Sequence, residues 1–174
     1  MRAATTSRAG FTLVEVLTVV VVLSILAAAV APGIGSMRSR SADAAAEVVR
    51  GSLRSARAMA GASGVPTGVE IDVVLDRAQI VVVDGGDVVP APGVLGTAQP
   101  PVWVSADFVG ASILSVTPSD GSSPTAGVIW FGFDGAPQAR DAEGVLLGGD
   151  PVESLIELTG GREIRVDPVT GRIR

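Results

Sequence analysis

The hydrophobic positions of the chain fall into two regimes. Between Val16 and Met37 there is no charged residue, and Leu13 to Ala31 reads as one apolar run, LVEVLTVVVVLSILAAAVA. About 20 apolar residues, at about 1.5 Å of helical rise each, are enough to cross the roughly 30 Å hydrocarbon core of a bilayer. The run therefore predicts a membrane helix. A cleaved secretory signal with Arg2 and Arg8 as its positive end is the competing reading. A signal core is usually about 7 to 15 residues, however, and this run is longer and continues directly into a helical pattern. Arg2, Arg8 and the initial amine precede the run, whereas Arg38 and Arg40 follow only after an uncharged gap. That bias favours a cytoplasmic N-terminus, with the rest of the chain outside. Glu15 breaks the apolar pattern. An ionised side chain inside a membrane helix costs about 3 kcal/mol on insertion scales, so Glu15 either finds a partner or lies near enough to the interface to stay hydrated.

Beyond the run, Ile34, Met37, Ala45, Val48, Val49, Leu53, Ala56 and Met59 recur mostly at three- and four-residue steps, with Arg38, Arg40, Asp43, Glu47, Arg50, Arg54 and Arg57 between them. This spacing predicts an amphipathic helix over 32–63, whose stripe packs on a sheet in preference to lipid. Pro32 lacks an N–H and clashes with the carbonyl four residues back, and Gly33 and Gly35 stand beside it, so a kink or melted turn is expected there. The run Gly61 to Pro66 ends the helix.

After Pro66 the period becomes strand-like. Val69 to Leu75, a turn at Asp76-Arg77, and Gln79 to Val83 predict a hairpin, bounded by Asp84-Gly85-Gly86-Asp87. That last segment lacks the repeated oxygen ligands and distal glutamate of a calcium loop and reads as a plain turn, so no metal is expected. Val88 to Pro101 holds four prolines and little periodicity and reads as a surface loop. Further strands are expected at Val102 to Ser105, Ile113 to Thr117, Val128 to Phe133, Leu155 to Leu158, Ile164 to Val166 and Arg172 to Arg174. Trp103, Phe108, Trp130, Phe131 and Phe133 supply most of the aromatic volume and are expected in the core and in cross-strand packing. The fold class is α+β, a long N-terminal helix packed on antiparallel β-sheet.

Composition narrows the chemistry. In 174 residues there is no cysteine, histidine, tyrosine or lysine. Disulfides, thiolate metal sites and the commonest general base are thereby excluded, and a Ser, Thr or carboxylate nucleophile would have no ordinary activating partner. Asp167 and Glu157 are carboxylates on or beside expected strands but belong to no catalytic motif, so neither an enzyme nor a cofactor is expected. All 13 basic residues are arginine, set against 18 acids for a net charge of −5. This balance argues against a chain that coats polyanions, while leaving room for a local arginine patch.

The segment Arg8-Ala9-Gly10-Phe11-Thr12-Leu13-Val14-Glu15 resembles the signal of type IV pilins and type II secretion pseudopilins. The resemblance implies that a prepilin peptidase cuts after Gly10 and methylates the amine of Phe11. It also implies that Glu15 pairs with that amine on a neighbouring subunit and that Pro32 is the family's helix-interrupting proline. The chain then divides into a leader (1–10), a transmembrane and assembly helix (11–31), an amphipathic helix (32–63) and a β-rich periplasmic domain (64–174), a type IV pilin-like fold.

The C-terminal part, from Ile129-Trp130-Phe131-Gly132-Phe133-Asp134-Gly135-Ala136-Pro137 through Gly161-Arg162-Glu163-Ile164-Arg165-Val166 to Gly171-Arg172-Ile173-Arg174, is similar to that of the GspH/FimT pseudopilins, with a Phe-x-x-Asp-Gly turn and a final hairpin ending in Gly-Arg-x-Arg. Gly135 and Gly171 suit tight turns because they can take positive φ. The two resemblances cover the first 38 residues and most of the last 50. They imply a minor pseudopilin, held in the inner membrane by a single span until it joins a type II secretion pseudopilus or a type IV pilus. Its partners would be the peptidase, other pilins or pseudopilins and an inner-membrane assembly platform. Some family members take up DNA through the terminal Gly-Arg-x-Arg, which makes Arg165, Arg172 and Arg174 candidate nucleic-acid contacts. Against this, the region from Arg38 onward holds 11 arginines and 17 acids, and solvated charge guarding a strand edge explains the arginines equally well.

Overall fold

The computed structural model describes residues 12–93, 96–122 and 125–174, with the backbone but not the side chains of 29–36. Contacts divide the chain into two units, Met1–Met37 and Arg38–Arg174. Helix α1 (Leu13–Ser63) contributes to both.

In the first unit, every described side chain of α1 from Leu13 to Ala28 is exposed. Leucines, isoleucine and valines cover all sides of this half-helix, so no face is set aside for a protein core. Its hydroxyls turn inward. Thr18 donates to the Val14 carbonyl at 2.8 Å and Ser24 to the Val20 carbonyl at 2.7 Å, which satisfies both donors without water.

The second unit has two antiparallel sheets. In the first, β1 (Thr67–Asp72) lies between β2 (Arg77–Asp84) and β6 (Ala126–Phe131). Outside them lie β3 (Asp87–Pro90) against β2 and β7 (Pro137–Gln138) against β6, and the short β4 (Val102–Trp103) also pairs with β2. The second sheet has the order β5 (Ile113–Thr117), β8 (Ser154–Leu158), β9 (Arg162–Val166). One buried cluster joins Ala45, Ala46, Val49, Leu53, Ala56 and Ala60 of α1 to Val69, Ile71, Ile129 and Phe131 of the first sheet and to Val116, Ile156, Ile164 and Val166 of the second. On the opposite face of the first sheet, Trp130 packs with Val81 and Val128 and donates its indole N–H to the Asp141 carbonyl at 3.0 Å.

Several expectations are corrected. The segment read as a loop over 88–101 begins with β3, because Gly85 and Gly86 both take positive φ (61° and 99°) and turn the chain back onto β2. The strand expected at Val102 to Ser105 stops after two residues. The Val104 N–H goes to the Asp76 carbonyl at 2.8 Å, and the chain coils into α2 (Val104–Asp107). Two expected core aromatics, Trp103 and Phe133, are exposed, as are Met37 and Val48 of the apolar stripe. The terminal residues form a single bridge, Val166 to Ile173, where a strand was expected.

Candidate functional site

Gly10 and Phe11, the expected cleavage and methylation site, lie outside the described residues. Immediately after them, Thr12 caps α1. Its carbonyl accepts the Glu15 N–H at 3.0 Å, and its hydroxyl oxygen lies 3.3 Å from the same donor. Thr12 and Glu15 thus stand at the Thr-x-x-Glu spacing of a capping box, a local signal that the sequence reading overlooked. A carboxylate in the first turn also complements the positive end of the helix dipole. The Glu15 carboxylate is exposed and has no partner among the described residues. The helical assignment continues through position 32, whose side chain lies outside those described, so the bend at Pro32 stays an expectation. Among the described residues no helix is long and apolar enough to cross a membrane. The last three residues of the predicted span, 29–31, are among the side chains not described.

The C-terminal arginines do come together. Arg165 and Arg174 exchange both backbone hydrogen bonds, at 3.2 and 2.9 Å, and the Asp167 N–H donates to the Arg172 carbonyl at 3.0 Å. Strand alternation then sets Arg165, Arg172 and Arg174 on the exposed face, opposite the inward Val166 and Ile173. The same face carries acids. Arg165 is 2.7 Å from Glu163 and 3.5 Å from Glu153, and the hydrogen-bonded Glu163 carboxylate pushes the arginine above its usual pKa. Asp167 accepts the Thr170 N–H at 2.8 Å and its hydroxyl at 2.9 Å. Those bonds hold its carboxyl below the usual range, so their contribution is complete above that range and fades as the pH falls through the lowered value. Glu157 accepts the Ser115 hydroxyl at 2.7 Å. Among the described residues no group of three or more His, Cys, Asp or Glu side chains could hold a metal ion.

A phosphate approaching this face therefore competes with Glu163 and Glu153 for Arg165. Of these three arginines, Arg172 and Arg174 have no ion pair among the described residues, and each phosphate contact adds about one unit to the salt slope. A titration with duplex DNA at about 150 mM salt is expected to show weak or no binding. Micromolar binding that an Arg172→Ala, Arg174→Ala double variant abolishes would reverse that expectation.

A further residue, absent from the sequence reading as a functional candidate, joins the two C-terminal motifs. Arg57 of α1 donates to the Gly171 carbonyl at 3.1 Å and to the Thr170 carbonyl at 3.0 Å. A Cβ added at Gly135 would sit 3.0 Å from Arg57 Nε, and one added at Gly171 would collide with the Gly135 carbonyl. Gly135 and Gly171 both have positive φ, 75° and 65°. The Phe-x-x-Asp-Gly turn and the Gly-Arg-x-Arg turn are thus stacked backbone to backbone under one guanidinium. Nothing in the local spacing of Arg57 marks this role, because its partners lie more than a hundred residues away.

Comparison with curated proteins and with solved structures gives no match. Residues 5–31 match the family model described as the prokaryotic N-terminal methylation motif. Over residues 5–31 the chain thus carries a prepilin-type motif, which supports a type IV pilin-like protein and implies processing by prepilin peptidase and assembly with other pilins.

Proposed function

We propose that this chain is a minor pseudopilin, a structural rather than catalytic subunit of a type II secretion pseudopilus or a type IV pilus. It is held by Leu13 to Ala31 in the inner membrane, N-terminus inward, until it joins the filament. The observation that carries this reading is the stretch of α1 from Leu13 to Ala28, apolar and exposed on every side, with a Glu15 carboxylate that has no partner among the described residues and lies within the methylation motif. Such a half-helix needs lipid or other subunits around it. A carboxylate there needs a cation, and cleavage after Gly10 would supply one as the new amine of a neighbouring Phe11.

Mass analysis of the membrane-extracted native protein tests the first step. A mature chain beginning at methylated Phe11 is expected, and Gly10→Val should leave the uncleaved precursor in the membrane. A chain beginning at Met1, or cut near Ala31, overturns the reading. For the second step, Glu15→Ala is expected to preserve cleavage and insertion, since it removes a charge that is costly in lipid, but to abolish co-purification with other pilins. Unchanged co-purification of a normally cleaved variant would refute the pairing.

A further inference from the structure

The end of the Arg38–Arg174 unit that holds Arg38, where the apolar run gives way to the folded domain, carries an exposed apolar surface. Gly110 lies against Arg38, since a Cβ there would sit 3.3 Å from Arg38 Cγ. Val109, the residue before it, is 80% exposed. Asp76 fastens this segment to the β1–β2 turn, because its carboxylate accepts the Ile113 N–H at 2.6 Å while its carbonyl accepts the Val104 N–H at 2.8 Å. That turn presents Val74, 82% exposed, and Leu75, 51% exposed. Trp103, opposite Arg77 in the β4–β2 pair, is 42% exposed. Arg38 and Arg40 are exposed too, without an ion-pair or hydrogen-bond partner among the described residues. Of the carboxylates at this end, Asp72 accepts the Leu75 N–H, Asp107 the Trp103 N–H and Asp76 the Ile113 N–H, while Asp43 is ion-paired to Arg162.

We propose that this end docks on the phospholipid bilayer, with Val74, Leu75, Trp103 and Val109 entering the interfacial layer and Arg38 and Arg40 binding lipid phosphate. The inference rests on the reading of Leu13 to Ala31 as a membrane span. Arg38 follows Ala31 by only seven residues of chain, so a span ending at Ala31 tethers this end within reach of the headgroup layer. Tryptophan is favoured at that depth because its ring is apolar and its N–H is polar. Arginine keeps its guanidinium at phosphate level while its stem lies along apolar surface. Asp72, Asp76 and Asp107 keep this end from being strongly basic. Docking is therefore driven by apolar insertion with local phosphate contacts, for which zwitterionic lipid suffices.

The test reconstitutes the full-length protein into phosphatidylcholine vesicles with bromine on the upper acyl chains, and into plain vesicles. Of the two tryptophans, Trp130 is fully buried, so Trp103 is the reporter. Brominated lipid is expected to quench the share of emission that comes from Trp103. Trp103→Phe should lose that quenching, and a Val74→Asp, Val109→Asp double variant, altered only at exposed positions, should recover the emission. Carbonate extraction of the same vesicles reads the span separately. Release by carbonate overturns the membrane-span reading and the docking with it. Protein retained in the bilayer with equal Trp103 emission in both vesicles, or quenching that the double variant leaves intact, overturns the docking surface alone.

Discussion

Gly171→Ala is expected to destabilise the Arg38–Arg174 unit by about 3 kcal/mol, seen as a lower urea midpoint of the detergent-solubilised full chain. Two costs combine. Gly171 sits at φ 65°, where a Cβ costs about 1–2 kcal/mol. That Cβ would also meet the Gly135 carbonyl, which is backbone and cannot swing aside. Forcing the two turns apart strains a packed contact and lengthens the bonds from Arg57, a cost of about 1–3 kcal/mol. Arg172→Ala, at the next, exposed position, should shift stability by less than about 0.5 kcal/mol. Equal midpoints for the two variants would mean that the stacked turns do not support the fold.

The second large effect is expected at Asp76. It is the one non-glycine residue with positive φ among the described residues, at 55°, and its carboxylate receives the N–H of Ile113, itself almost fully buried. Asp76→Ala leaves that N–H without a partner and puts alanine in a left-handed conformation, together about 3 kcal/mol. Asp76→Asn keeps an acceptor oxygen and a residue that tolerates the backbone, so most of the stability should return. The urea midpoint measures both variants, and amide exchange at Ile113 shows whether the lost stability arises there. An alanine variant with native exchange at Ile113 would show that the bond contributes nothing.

The α+β class was legible because the period changes at Pro66, and the antiparallel hairpin of β1 and β2 because apolar Val69 and Ile71 alternate with Glu70 and Asp72 before a turn and a second apolar run. The buried face of α1 was read less well. Ala42, Ala45, Ala46, Ala56 and Ala60 are buried, whereas Met37 and Val48 are exposed. A scale that ranks methionine and valine above alanine favours the wrong positions where small side chains let a helix lie close to two sheets. α2 was missed because Val-Trp-Val has strand propensity, and a carbonyl from the distant Asp76 decides otherwise. β3 could have been found, since a two-glycine turn predicts a returning strand. For the candidate site, Glu15 stood out by its charge, but its capping role required reading Thr12 with it. That Gly135 and Gly171 meet under Arg57 is a non-local fact, outside the reach of any spacing rule.

The ties between α1 and the terminal hairpin bear on how the subunit carries mechanical load. Arg162 is ion-paired to Asp43 at 2.5 Å, Arg50 donates to the Glu163 carbonyl at 3.2 Å, and Arg57 holds Thr170 and Gly171. From Asp43 to Arg57 these ties are spread over about 20 Å of helix. Because their order along α1 follows their order along β9 and the turn beyond it, sliding the helix along its axis stretches all three together. Tension drawn through α1 is thereby resisted in shear, with no single contact positioned to peel first.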